Sequence, residues 1–290
     1  MNVDISTRAL LVNTKVRVWT GEKRDRPMSR EICTMKGAVE NAVRVNKSLL
    51  GEHISAVQSA ERAVRQTGNE RTLPWMDDGT RILKGSTFVA FTEAMAGPIR
   101  QFDAAVEAFI AAYPDIKHEA ERRLGDAYAE SDYPPVTRLK ERFGVKLTYL
   151  PIPSQEDFRV NLADDEIAAV RRNAEEAMRG TVNDAVRSLL DRLREPVAHM
   201  ASRLRLFRRT SSGKVQNTFR DSLVENVRDI VRLAPALNIM DDPRIAGLCA
   251  EIERHLTIYD PEDLRHSAEL RESVADEADT ILKRMQGEFA

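Results

Sequence analysis

Only two cysteines occur in the 290 residues, Cys33 and Cys249. They lie far apart and form no CxxC pair, so the chain carries no disulfide framework and a reducing cytoplasm is the expected compartment. Long apolar runs are also missing. None approaches the roughly 18 residues that a membrane span requires. The start, MNVDISTRALLV, lacks a charged head followed by a sustained apolar block, so no secretory signal is expected. GxGxxG, GxSxG and HExxH are absent. KGST (84–87) and SGKV (212–215) have the wrong order or spacing for a phosphate loop, whose amides and lysine must converge on one phosphate. Internal repeats and low-complexity tracts are lacking too.

Acid is missing from one place in particular. The chain as a whole has 46 Asp and Glu against 44 Lys and Arg. Yet Pro196–Arg220 contains no acid and six cations. Residues 8–30 are also basic, with seven Lys or Arg against Glu22 and Asp25, whereas 241–290 hold thirteen acids and six Lys or Arg. Such asymmetry bears on partners rather than on fold.

Hydrophobic content of 42% and charged content of 31% fit a globular chain with long solvated helices. ALLVNTKVRVW (9–19) alternates in its second half, with Val16 and Val18 on one side and Lys15, Arg17 and Trp19 on the other, the period of a half-buried strand. VKLTYLPIP (145–153) is a second strand candidate, ended by its prolines. Steps of three and four predict helices over about 29–67, broken near Gly51 and stopped at Gly68, and over 86–112, where Pro98 should kink or split the helix. A further helix should follow Pro114. TLPWMDDGTRIL (72–83) has the chemistry of a turn, with Trp75 as a core side chain.

From about Asp164 to Phe207 an almost unbroken apolar stripe predicts one long helix, about 60 Å at 1.5 Å per residue. After RRTSSGK the stripe resumes through Val215, Phe219, Leu223, Val227 and Val231, which predicts an antiparallel helical hairpin. Asp242-Pro243 and Asp260-Pro261 mark N-caps of two more helices, near 243–256 and 261–286. The expected fold is therefore mainly α (α+β), a long antiparallel helical hairpin with a small N-terminal β element. The expected division is an α+β region at 1–160 and the hairpin with two C-terminal helices at 161–290.

The search for catalytic groups is mostly negative. The histidines are scattered, and Glu251 and His255, four apart, suit a surface pair better than a metal site. Acidic pairs stand at turns and helix starts, where free amides explain them. No catalytic residue, metal or cofactor is expected. Binding candidates are clearer. Arg203, Arg205, Arg208, Arg209 and Lys214 surround three hydroxyl residues and suit phosphate, with Phe207 available for stacking. Lys15, Arg17, Lys23 and Arg24 form a second patch, with Trp19 as a stacking ring or, equally, as packing beneath a helix.

Several stretches together resemble a family of phage and prophage proteins: WTGEKRD (19–25), TLPWMDDGTRIL, DYPP (132–135), PIPSQEDFRV (151–160) and FRDSLVENVRDIV (219–231). The likeness spans nearly the whole chain and brings no motif of catalytic meaning. A further resemblance, to the Drc-type single-stranded-DNA-binding cofactors of RNA polymerase in lytic podoviruses, rests on size and fold expectation and transfers no residue. It implies cooperative, sequence-independent binding of single strands by a homo-oligomer, and a phage RNA polymerase or other replication or transcription protein as partner. The alternative expectation is a helical scaffold or adaptor that docks a phage or host protein such as an ATPase.

Overall fold

The computed structural model describes residues 5–152, 164–209 and 215–289. The elements in chain order are β1 (Ala9–Arg17), β2 (Glu22–Asp25), α1 (Arg26–Met35), β3 (Val45–Ser48), α2 (Ser55–Glu70), β4 (Leu73–Pro74), β5 (Thr80–Lys84), α3 (Phe88–Leu124), α4 (Val136–Leu139), β6 (Gly144–Pro151), α5 (Asp164–Leu206), β7 (Arg208–Arg209), β8 (Val215–Gln216), α6 (Ser222–Leu237), α7 (Pro243–Leu256), α8 (Pro261–His266) and α9 (Ala268–Phe289). The protein is mainly helical with a small antiparallel sheet near its N-terminus. No helix among the described residues is long and apolar enough to cross a membrane.

The chain divides into two compact units, and the division does not follow a cut at residue 160. The first unit takes the chain up to Asn13, then Arg71–Val89, then everything from Tyr149. The second takes Thr14–Glu70 and Ala90–Thr148. The main sheet has the order β4-β5-β1-β6. The two expected strands are therefore neighbours, but the TLPWMDDGTRIL box supplies two more. Asp78-Gly79 makes the expected turn between them: Gly79 has φ 85°, and the Thr80 N–H donates to Asp78 Oδ1 at 2.8 Å. Trp75 is a buried core side chain, as its place beside the turn suggests.

In the first unit, alternation on three strands aligns one apolar row. Ile82 pairs with Leu11 on one side and Leu73 on the other. All three are buried in the same core as Leu189, Leu193, Val197, Met200 and Leu204 of α5. The apolar stripe of α5 is thus the spine of this unit. Helices α6, α7 and α9 complete the same core through Val227, Ile252 and Ile281. The Asp-Pro caps are in place: Asp242 accepts from the Arg244 N–H and Asp260 from the Glu262 N–H. The last predicted helix is divided between α8 and α9. Helix α6, at 16 residues, is much shorter than the 43 of α5. The small β7–β8 pair joins them, matching Arg208 with Gln216 and Arg209 with Val215.

The second unit departs more from expectation. Residues 29–67 are not two consecutive helices, because β2 and β3 form an antiparallel pair on either side of α1. Helix α1 begins at its own unpredicted cap, Asp25, which accepts from the Met28 N–H at 2.9 Å with Pro27 in the first turn. Gly21 enters this hairpin with φ 68°, and a Cβ there would sit 2.4 Å from Leu50 Cγ, so only glycine fits. Gly68 lies inside α2 rather than ending it. Helix α3 runs unbroken through Pro98 and Pro114. Each proline removes one backbone bond, but Phe91, Met95, Phe102, Val106, Phe109, Tyr113, Ile116 and Ala120 are buried along one stripe. Their burial outweighs a cost of about 3 kcal/mol per interior proline.

Leu193→Ala tests the spine. Leu193 is fully buried in α5, so the substitution should lower unfolding free energy by about 2–5 kcal/mol in urea denaturation.

Candidate functional site

The basic end of α5 is built by the helix's own periodicity. Leu204 and Phe207 continue the buried stripe, which turns Arg203 and Arg205 to the flanks. Arg203 Nη2 donates to the Thr218 carbonyl at 2.9 Å and so ties α5 to the chain leading into α6. Arg205 lies against α9, where Asp276 and Asp279 take its guanidinium at 2.7 and 2.5 Å. These carboxylates already balance its charge. Arg208 is exposed and donates to the Phe207 carbonyl at 3.0 Å. Arg220, also exposed, has no ion-pair partner among the described residues. The Arg209 side chain and Lys214 lie outside the described residues, as does most of the PIPSQEDFRV box.

Phe207 is not available to a base. It is 2% exposed, its ring lies 5.5 Å from that of Phe219, and the Arg271 guanidinium stands 4.4 Å over its face. Arg271 is itself buried and donates to the carbonyls of Leu264, Arg265 and Ser267, closing the end of α8. A cation desolvated over an aromatic face and satisfied by three carbonyls is a structural clamp. The stacking role expected of Phe207 is therefore replaced by a core role. The physical reason is visible in the spacing, since Phe207 is the last member of the α5 stripe.

The second predicted patch separates into two environments. Lys23 sits directly opposite Lys47 in the β2–β3 pair, an arrangement that repels. Asp132 resolves it: both lysines reach its carboxylate, Lys47 at 2.6 Å, and the Asp132 side chain is only 4% exposed. Burial alone would raise the Asp132 pKa. The hydrogen bonds and charges of the two lysines outweigh it and hold the carboxyl below the usual carboxylate range. Arg24 donates to Asn41 Oδ1 at 2.8 Å. Lys23 and Arg24 are thus engaged in holding the hairpin.

Lys15 and Arg17 differ. Both are exposed, while Val16 between them is buried. Thr14, on the Val16 side, approaches Gly68 of α2. Arg17 points the other way and lies over β6: a Cβ on Gly144 would be 3.6 Å from Arg17 Nη2. The Cβ direction of Gly144 therefore marks the same face as Lys15 and Arg17, and Lys146, two residues on, shares it. Lys146 is exposed. Neither it, Lys15 nor Arg17 has an ion-pair partner among the described residues. Sequence reading missed Lys146. The signal was the alternation of VKLTYL, but the face it belonged to depends on pairing with β1.

Trp19 lies two residues past β1, half-buried, with its ring edge-on to Tyr113 at 6.1 Å. Tyr113 packs on Phe109, and Phe109 on Phe143, the residue before β6. This aromatic chain runs from the exit of β1 to the entrance of β6. Trp19 packs on a helix, as one of the two expectations for it has it, and keeps part of its surface in solvent.

Among the described residues no group of three or more His, Cys, Asp or Glu side chains is arranged to hold a metal ion. Glu251 and His255 are turned to other partners, Arg284 and Glu277. A small cleft of about 200 Å³ lies beside Lys84, Asn238, Asp241 and Cys249. Lys84 and Arg8 close on Asp241 there, and burial pushes the Cys249 thiol up to about 11, away from thiolate chemistry. No family model, no curated protein and no solved structure matches the chain.

Two outcomes follow from these environments. Phe207→Ala should cost about 3–5 kcal/mol of stability in thermal or urea unfolding, as expected for a core ring. Asp132→Asn should cost about 1–3 kcal/mol, because it leaves Lys23 facing Lys47. The Asp132 carboxyl is depressed on folding, so its contribution is present above about pH 4 and is lost as pH falls through the folded value. The stability difference between wild type and Asp132→Asn should therefore narrow in acid-range unfolding curves.

Proposed function

We propose that this is a non-enzymatic bacteriophage protein that binds single-stranded DNA without sequence preference and supports phage transcription or replication as a homo-oligomer. The observation that carries the reading is a set of exposed cations without acidic partners among the described residues: Lys15 and Arg17 on β1, and Arg220 beyond the acid-free end of α5. Arg208 is exposed beside that end and donates to the backbone carbonyls of Arg205 and Phe207, with no acidic partner among the described residues. A nucleic acid backbone is bound by such charges without base readout, because each phosphate contacted releases condensed counterions. Backbone binding of this kind needs no catalytic constellation. The resemblance to phage proteins supplies the biological setting, with a phage polymerase or replication protein as the partner.

Binding of a fluorescent oligonucleotide, titrated with salt, tests the reading. Affinity should fall log-linearly with salt, with a slope of about −0.7 per phosphate contacted. Absence of binding at about 50 mM salt, or binding indifferent to salt, would overturn it. Arg208→Ser with Arg220→Ser should flatten the slope by about one unit or more. Arg205→Ser should change it little, since Asp276 and Asp279 already balance that guanidinium.

A further inference from the structure

We infer that the outer face of the β1–β6 pair, over the part of it that belongs to the second unit (residues 14–17 and 144–148), is the strip that takes the phosphates of an extended single strand, with Lys15, Arg17 and Lys146 as its cations. The inference rests on the reading of the protein as a single-strand binder and narrows it to one face.

The contrast with the neighbouring hairpin motivates the choice. In the same unit Lys23 and Lys47 are held by Asp132, and Arg24 by Asn41. The fold therefore supplies partners to the cations it uses internally. Lys15, Arg17 and Lys146 have no such partner among the described residues, and all three are exposed.

Geometry adds a second argument. Lys15 and Arg17 are two residues apart on one strand, which separates them by about 7 Å along it, with adjacent strands about 5 Å apart. That is about two stacked rises of a single strand, or one step of a strand pulled out straight. Gly144 carries no side chain, so the Arg17 guanidinium lies close over β6 instead of being lifted from the sheet. The arrangement is a low, flat row of cations. Such a row suits a thread-like polyanion better than a compact anion, which requires convergent donors. Trp19, partly exposed just beyond Arg17, offers a ring at the end of the row for a base. Arg138, Lys140 and Arg142, exposed immediately before β6 and without ion pairs among the described residues, add long-range attraction toward the same polyanion.

The test uses the full chain and a labelled oligothymidylate. Wild type is compared with the triple variant Lys15→Ser/Arg17→Ser/Lys146→Ser. A control of equal charge removes exposed cations from helices of the same unit, Arg62→Ser/Arg100→Ser/Arg122→Ser. The strip predicts that the first variant loses about two units of salt slope, three contacts at about 0.7 each, and at least tenfold in affinity at low salt. The control should keep the wild-type slope. Gly144→Glu keeps all three cations but sets a carboxylate beside Arg17. It should weaken binding at least threefold while circular dichroism and melting stay at wild-type values. If wild type binds and the triple variant and Gly144→Glu match it, the strip is wrong and the single-strand reading survives. If wild type does not bind, both fall. Equal losses in the strip variant and the control would also overturn the strip, since net charge alone would then explain them.

Discussion

The strip inferred for the phosphates depends on the alternation of one strand. In β1, residues 9–12 are covered on both sides, with Leu11 and Val12 both buried. From Thr14 onward only one side is covered, and the same two-residue period now sets Val16 inside and Lys15 and Arg17 outside. An extended chain cannot place neighbouring residues on one face. Once Val16 is committed to the interior, the two cations have no choice but solvent. Their exposure is a consequence of backbone geometry, whereas that of a lysine on a helix flank can be altered by a small rotation of the helix.

Much of the helical framework was legible in the sequence because it is written locally. The stripe of α5, the Asp-Pro caps of α7 and α8, and the Asp78-Gly79 turn each depend on residues a few positions apart. What failed to appear depended on distance. EKRD and VNKS carry no apolar alternation, so neither announces a strand; each is one only because Glu22–Asp25 and Val45–Ser48 pair with each other. Pro98 and Pro114 read as breaks because the local penalty is visible and the burial that offsets it is not. The TLPW box read as a turn alone because its flanking strands, Leu73–Pro74 and Thr80–Lys84, take their place from β1.

The candidate site shows the same division. Residue types were legible, but the fate of their charges was not. Arg205 is balanced by Asp276 and Asp279, more than 70 residues later in the chain, and Lys23 by Asp132, more than 100 residues later. The acidic tail, which in the sequence looks like a region apart, is in part the counter-charge of the basic end of α5. Phe207 was misjudged for the opposite reason. Its position in the stripe already marked it as core, and proximity to arginines made it look like a ligand platform. One of the nearby cations, Arg271, does stack on it, but from within the fold.

A run of like charges in a sequence is therefore a poor guide to where an anion binds, because helices bring distant acids against it. The better guide is whether an element's geometry leaves each cation an alternative. A helix-end arginine has several flank directions, and α9 supplies acids along one of them. A strand cation opposite a buried residue has one direction. The neighbours it meets there are set by register with the next strand. On this sheet those neighbours are Gly144, which offers no charge, and Lys146, which offers the same one. Among the described residues no carboxylate pairs with these three cations, so their charge is balanced by solvent and its ions.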